Sequence, residues 1–284
     1  RSVTLIDQIL AFGRLIRPLN CLITGLSVLV GGLTAGVLGP EPHLLLASSS
    51  AGLVAAAGYI FNDLIDVDID RINRPDRPLP AGLISPRRAA LGAQLLALLG
   101  LSLAWWLGPI VGLFASIVAG SLFLYSKYLK MGPLWGNLVV ALLAASAFPY
   151  GALAANSWGR SWIPALFAFL FHWGREIVKD LEDLEGDRRN GAQTLPIRWG
   201  QKRAAALASI IFLILAAVVL FPWLSELYGW PFLLPVLLVD ALLAATMVRI
   251  WMCASQLQGK GLSRLLTAGV VLGLAAIVAG ELSR

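Results

Sequence analysis

Long apolar runs alternate with short polar connections along the whole chain. Apolar positions dominate 19–38, 44–63, 89–107, 110–126, 134–155, 161–178, 204–223, 231–252 and 265–281. These runs approach the ~20 residues that a helix needs to cross a bilayer. A backbone in lipid must satisfy its own hydrogen bonds, so runs of this length predict helices rather than barrel strands. The pattern predicts an all-α, polytopic membrane protein with nine transmembrane helices, forming a single domain over 1–284. The first run is longer than the ~7–15 residues of a signal-peptide core and is read as a mature helix. Gly108-Pro109 predicts a tight turn between two helices, and Pro149-Tyr150-Gly151 predicts a kink inside the fifth run. Ser85-Pro86 is a helix start, with Ser as cap and Pro at the first helical position.

Charged residues make up 13% of the chain, about half the ~25% of a soluble domain. That scarcity excludes a soluble globule carrying one anchor. A net charge of +6 could suit nucleic acid, but its distribution suits a membrane. With nine crossings, 20 of the 22 Lys and Arg fall on one side, leaving only Arg160 and Arg284 on the other. The rich side includes Arg1, Arg14 and Arg17, the Arg71–Arg88 connection, Lys127 and Lys130, the Arg175–Arg203 connection, and Arg249, Lys260 and Arg264. The positive-inside rule makes it cytoplasmic, with the N-terminus inside and the C-terminus outside. Neither a nucleic-acid partner nor an obligate protein partner is expected. Cys21 and Cys253 lie in apolar runs without a CxxC or a nearby His, which predicts packing residues rather than a disulfide or metal site.

The acidic residues are concentrated. Eleven of the 16 lie in two windows, Asp63–Asp76 and Glu176–Asp187, each closing an apolar run and preceding a basic connection on the cytoplasmic side. Asn62, Asp66 and Asp70 are spaced i, i+4, i+8, so on a continuous helix they share an arc of roughly 80°. Glu176, Asp180, Asp183 and Asp187 share about 60°, while Glu182 and Glu185 face away. Asp63 and Asp68 also leave their stripe and read as solvated or capping residues. Like charges stacked at helical spacing repel unless a cation sits on them. Hard oxygen ligands of this kind suit Mg²⁺, which is commonly held by one or two carboxylates together with substrate phosphates. Two such stripes on one membrane face suit a diphosphate, with the surrounding Arg and Lys completing the anion site.

These residues also carry a resemblance. Asn62-Asp63-x-x-Asp66-x-x-x-Asp70-Arg71, followed by Arg74-Pro75-x-Arg77-Pro78, resembles the first signature of the UbiA superfamily of intramembrane prenyltransferases. Asp183-x-x-x-Asp187, with Gly191 and Thr194-Leu195-Pro196 downstream, resembles the second, and Ile16-Arg17-Pro18-x-Asn20 is similar to the superfamily's opening. The resemblance implies a helical bundle around a central cavity open sideways to lipid, and Mg²⁺-dependent transfer of a polyprenyl group from its diphosphate. Asp70–Pro75 and Arg175–Arg188 further resemble the geranylgeranylglyceryl-phosphate geranylgeranyltransferases. That branch implies geranylgeranyl diphosphate as donor, the glycerol hydroxyl of geranylgeranylglyceryl phosphate as acceptor, and an archaeal-type diether lipid as product.

The expected roles follow. Asp66, Asp70, Asp183 and Asp187 are the catalytic metal ligands, supported by Asn62 and Asp180. Arg74, Lys127, Lys130 and Lys179 are candidates for the diphosphate, and Arg17 and Asn20 for the acceptor or the diphosphate. The apolar spans would keep water from an allylic cation, and some of the 10 Trp, 11 Phe and 5 Tyr could face it. His172 reads as a packed residue rather than a base, and Asn137 as a buried amide for which helix–helix hydrogen bonding and a catalytic role are equally good explanations. The rival readings are prenylation of an aromatic acceptor and ion-coupled transport. Transport sites usually lie near the bilayer midplane; here Asp240 is the one clear acidic residue in the apolar core.

Overall fold

The computed structural model describes residues 4–39, 41–252 and 261–284. Arg1, Cys253 and Lys260, used above for charge and cysteine content, lie outside the described residues. All regular elements described are helices. In chain order they are α1 (Leu5–Leu15), α2 (Pro18–Thr34), α3 (Pro42–Ile65), α4 (Val67–Asn73), α5 (Pro86–Leu107), α6 (Pro109–Leu124), α7 (Trp135–Ala145), α8 (Ala147–Ala154), α9 (Trp162–Glu182), α10 (Leu184–Arg189), α11 (Leu195–Trp199), α12 (Gln201–Val219), α13 (Phe221–Leu224), α14 (Trp230–Met252) and α15 (Leu262–Leu282). A π-helical turn, Tyr125–Leu129, extends α6.

Helix covers every predicted apolar run, but the count of nine spans is not reproduced by length and composition. Seven helices are long and apolar enough to cross a membrane, and α1 with α2, bent by 45°, would make eight. The helix α9 is 21 residues long, but its last turns carry Arg175, Glu176, Lys179, Asp180 and Glu182. Large apolar side chains such as Leu98, Trp106, Ile110, Ile117, Leu234 and Leu238 are exposed. Outward-facing side chains of this kind, on helices of spanning length, fit lipid contact and mark a multi-pass membrane protein.

Local signals explain the helix ends. Ser85 accepts a hydrogen bond from the Arg88 backbone N–H, with Pro86 at the first helical position. Gly108, at φ 144°, makes the turn between α5 and α6. The kink of the fifth run falls at Ser146, between α7 and α8. That lies three residues before Pro149, because the proline ring leaves the Ala145 carbonyl without its helical donor. Arg17 joins α1 to α2 in the left-handed region, φ 50°, a conformation rare for a residue with a Cβ.

Two groups of helices build the bundle. The first is α2, α3, α5, α6 and α8, where α3 packs on both α5 and α2, and α2 on α8. The α2–α8 contact is backbone-close: a Cβ on Gly151 would lie 2.9 Å from the Val28 carbonyl carbon, so a small residue is required. The second is α9, α12, α14 and α15, packed around Phe212, Phe232, Leu243 and Ile250. Contacts of α7 and α8 with α9, and of α15 with α2, join the groups into a closed ring.

Candidate active site

Both aspartate motifs sit on helix breaks of the same form. The helix α3 stops at Ile65, Asp66 takes φ −83° and ψ 0°, and α4 begins. The helix α9 stops at Glu182, Asp183 takes φ −92° and ψ 5°, and α10 begins. The backbone ladder nevertheless runs through each break. Asp66 N–H donates to Asn62 O (3.0 Å) and Asp70 N–H to Asp66 O (2.7 Å); Asp183 N–H donates to Lys179 O and Asp187 N–H to Asp183 O, both at 2.9 Å. The i, i+4 spacing thus survives a change of helix, and the echo between the two sequence windows is also an echo in backbone form.

In the first motif every inward carboxylate holds a cation. Lys130 Nζ donates to Asp66 and, at 3.3 Å, to Asn62 Oδ1, while Asn62 Nδ2 donates to Asp66 at 3.0 Å. Arg77 donates to Asp70 at 2.5 Å. Asp63, expected to be solvated or capping, is instead buried, paired with Arg17 at 2.6 Å and with Arg77 at 3.4 Å. The off-stripe angle at Asp63 turns it toward these two guanidiniums, not into water. Asp68 is exposed and meets only Arg71. Lys130 follows the π-helical turn, a feature common at functional sites. Its neighbour Met131 accepts from the Gln193 N–H at 2.9 Å, which ties this loop to the segment after the second motif.

The second motif divides differently. Asp183 lies 3.6 Å from Arg74 of the first motif's loop. Asp180 accepts from Asn137 at 2.8 Å, a bond between helices, which is one of the two roles the sequence leaves open for that amide. Glu176 is buried between Arg175 (2.9 Å) and Lys179 (3.4 Å). Glu185 is exposed beside Arg188 and Arg189, as its angle predicted. Glu182, expected to face away, is instead buried and reaches the cavity described next, accepting the Leu262 and Ser263 N–H groups at the start of α15. Only a tertiary contact could show that role. Burial, with the Asp183 carboxylate nearby, pushes the Asp187 carboxyl up to about 6.

A cavity of about 650 Å³ opens between these groups. Asn62, Arg74, Lys130, Lys179 and Asp183 line it, as do Arg17 and Asn20. From Asn62 the wall follows α3 through Gly58 and Val54 to Ser50, whose hydroxyl bonds to the Gly100 carbonyl (2.7 Å) and the Tyr150 hydroxyl (3.0 Å). Asp66, Asp70, Asp180 and Asp187 are not on the wall. Asp66 pairs with Lys130, which is on the wall, and Asp70 with Arg77, which is not. Lys127, expected at the diphosphate, is exposed over the Phe123 and Tyr128 rings, 5.8 and 5.1 Å away, and does not reach the cavity. Sequence spacing could not separate it from Lys130, because Lys127 lies within a π-helical turn that ends just before Lys130.

Among the described residues no three carboxylate, His or Cys groups stand close enough to cage an ion. The donors are hard oxygens, and Asp66, Asp70 and Asp183 each already attract a cationic side chain. A hard divalent ion held by one or two carboxylates and completed by phosphate oxygens fits this set. An all-protein cage does not.

Residues 24–267 match the UbiA prenyltransferase family. The digeranylgeranylglyceryl phosphate synthase of Methanopyrus kandleri is 36% identical over 272 residues, covering 96% of this chain and 99% of that protein. A solved structure of a digeranylgeranylglyceryl phosphate synthase in membranes is 29% identical, with a TM-score of 0.77 over 98% of this chain and 100% of its own. A UbiA homologue from Archaeoglobus fulgidus, solved with GPP and Mg²⁺ bound, is 21% identical with a TM-score of 0.70 over 95% and 99% of the two chains, and shares the fold. With its two aspartate motifs meeting at one cavity, the chain belongs to the UbiA prenyltransferase family and is a prenyltransferase.

Proposed function

We propose that the protein transfers the geranylgeranyl group of geranylgeranyl diphosphate to the glycerol hydroxyl of geranylgeranylglyceryl phosphate, with Mg²⁺ as cofactor. The observation that carries this function is the meeting of Arg74 and Asp183 on the wall of one cavity, in a chain whose relatives are named for that synthesis. The Mg²⁺ found in the A. fulgidus homologue suits the donor set here. Asp66, Asp70, Asp183 and Asp187 would hold it, with Asn62 orienting Asp66 and Asn137 orienting Asp180. When bound, Mg²⁺ neutralises charge on the departing diphosphate.

The chain's own residues do the rest. Arg74, Lys130 and Lys179 present preorganised cationic donors to phosphate oxygens, each turning from the carboxylate that now holds it. The allylic C–O bond breaks, diphosphate leaves with the electron pair, and the glycerol oxygen forms the new ether bond to the allylic carbon. The walls around Gly58, Val54 and Phe114 exclude water from the cationic carbon. The hydroxyl proton passes to a group within hydrogen-bond reach, a diphosphate oxygen or Asp183. A volume of about 650 Å³ falls in the ~300–1,000 Å³ range of small-molecule sites.

Membrane orientation belongs to the same proposal. Counting α9 as a crossing gives nine, with both motifs and the N-terminus cytoplasmic. Cysteines placed at Thr4 and Ser283 should then be labelled from opposite sides of intact cells; labelling from one side overturns the odd count. The test of function is a membrane assay with labelled geranylgeranyl diphosphate, Mg²⁺ and either geranylgeranylglyceryl phosphate or 4-hydroxybenzoate. Prenylation of the glycerol ether supports the proposal. Turnover of the hydroxybenzoate alone replaces the acceptor with an aromatic one.

A further inference from the structure

Six basic side chains on the cavity wall bear on how two anionic substrates share it. Arg17 is held by Asp63 (2.6 Å), Lys130 by Asp66, Arg74 by Asp183 (3.6 Å), and Arg175 and Lys179 by Glu176 (2.9 and 3.4 Å). Arg264 lines the same cavity and is exposed. Among the described residues it is the one basic side chain on that wall without an ion-pair partner.

Its position is fixed by contacts with the second motif's helix. The first turn of α15 is anchored on α9 at two points. The Leu262 and Ser263 N–H groups donate to Glu182, at 2.5 and 3.2 Å, and Arg175 Nε donates to the Ser263 carbonyl at 3.1 Å. Glu182 directly precedes Asp183, so the register of Arg264 is tied to that of the motif. Thr267 stands one turn on from Arg264 and lines the same wall; residues three apart are neighbours on a helix. On its other side α15 packs against α2, whose first turn brings Asn20 to the cavity.

We infer that Arg264, with the Thr267 hydroxyl beside it, binds the phosphomonoester of the acceptor. This rests on the acceptor proposed above. Two anionic groups must occupy the cavity at once, a diphosphate on the donor and a phosphate on the acceptor. The cations at the motifs serve the diphosphate, because that is where the carboxylates converge. The acceptor phosphate needs a separate cation, a glycerol's length from the reacting hydroxyl. Arg17, expected from sequence to fill this role, is held at 2.6 Å by the buried Asp63, which is not among the proposed metal ligands and so has no ion to replace the guanidinium. A guanidinium without a carboxylate partner offers its full charge and a planar fork that matches two phosphate oxygens. A hydroxyl at its side adds a donor to the third.

The test compares wild type, Arg264→Ala and Arg264→Lys in nanodiscs, using geranylgeranylglyceryl phosphate and its dephosphorylated analogue as acceptors. Loss of a charge-assisted contact predicts that Arg264→Ala raises the KM for the phosphorylated acceptor by about ten- to a hundred-fold. The KM for geranylgeranyl diphosphate and the melting temperature should stay unchanged. Arg264→Lys should recover part of the loss, and the dephosphorylated analogue should not distinguish the three proteins. An unchanged acceptor KM in Arg264→Ala, or an equal rise in donor KM, overturns the assignment and leaves the proposed function standing. Failure of the wild type to prenylate either glycerol ether overturns both.

Discussion

The Arg74 guanidinium lies 3.6 Å from the Asp183 carboxylate, so a cation from the loop after the first aspartate motif meets an anion of the second. Both side chains are about two-fifths exposed, and exposed pairs contribute at most ~1 kcal/mol to stability. Under the proposed function the contact serves the diphosphate that both motifs would share rather than folding. Arg74→Ala should leave the melting temperature nearly unchanged while raising the KM for the diphosphate donor. Arg74→Lys should recover only part of that loss, since it keeps the charge and loses the fork. Thermal melting and steady-state kinetics on the same preparations measure both. A large drop in melting temperature with an unchanged donor KM would make the pair structural.

Angular position separates the carboxylates that should matter from those that should not. Asp66→Ala and Asp187→Ala should each remove nearly all transfer, because in the proposed function neither motif would hold the diphosphate alone. Glu185 is exposed, with only Arg188 and Arg189 for company at 4.0 and 3.9 Å. Glu185→Ala should keep most activity. Equal losses at Glu185 and Asp187, measured as product formed per folded enzyme, contradict this division.

Much of this was legible in the sequence because the strongest constraints there are local. Apolar run length located the helices, and i, i+4 spacing found both aspartate stripes even though each helix breaks at the middle aspartate. The spacing held because the backbone ladder continues through Asp66 and Asp183. What escaped were contacts between residues far apart in the chain. Asp63 looked solvated because its partners Arg17 and Arg77 lie 46 and 14 residues away. Glu182 looked idle because the helix end it caps is 80 residues downstream. Lys127 and Lys130 looked equivalent because nothing in their identities signals a π-helical turn. The crossing count stayed open for a related reason: α9 gives its last turns to the charges of the site, so composition cannot mark it as a span.

Asp63 and Asp68 form a matched pair for stability. Asp63 is buried and accepts from two guanidiniums, whereas the Asp68 side chain is 82% exposed. Removing one partner of a buried ion pair typically costs about 3–5 kcal/mol, because the other charge is left uncompensated. Part exposure of Arg17 and Arg77 places Asp63→Asn at the low end of that range. Asp63→Asn should clearly lower the melting temperature in detergent, and Asp68→Asn should not move it. The Arg17 backbone also bears on this, because it lies in the left-handed region, φ 50°, a strained conformation for a residue with a Cβ. Arg17→Gly should therefore lose the charge contact but relieve backbone strain, and destabilise less than Asp63→Asn. Equal melting temperatures for the Asp63 and Asp68 variants would remove Asp63 from the structural core of the site.

The pH dependence of cation binding should reveal Asp187. Burial and the Asp183 carboxylate hold its carboxyl at about 6, well above the usual carboxylate range. A raised value means that the folded protein without metal disfavours the ionised form, so Asp187 becomes protonated as pH falls through about 6. A carboxyl must lose its proton to hold a hard cation. Mg²⁺ affinity should therefore be nearly flat above pH 7 and weaken below 6, approaching about tenfold per unit as one proton competes with the ion. The linkage to folding has the opposite sign. Ionisation of Asp187 costs stability between its unfolded value, near 3.8, and about 6, so the metal-free protein should lose stability as pH rises through that window, and Mg²⁺ should restore it. Asp187→Asn should abolish both effects, removing the weakening centred near pH 6 and lowering the affinity. Titrating Mg²⁺ against melting temperature at pH 5, 6, 7 and 8 provides the readout without any turnover. If wild type and Asp187→Asn show the same profile, the proton sits on another group and Asp187 is not a metal ligand.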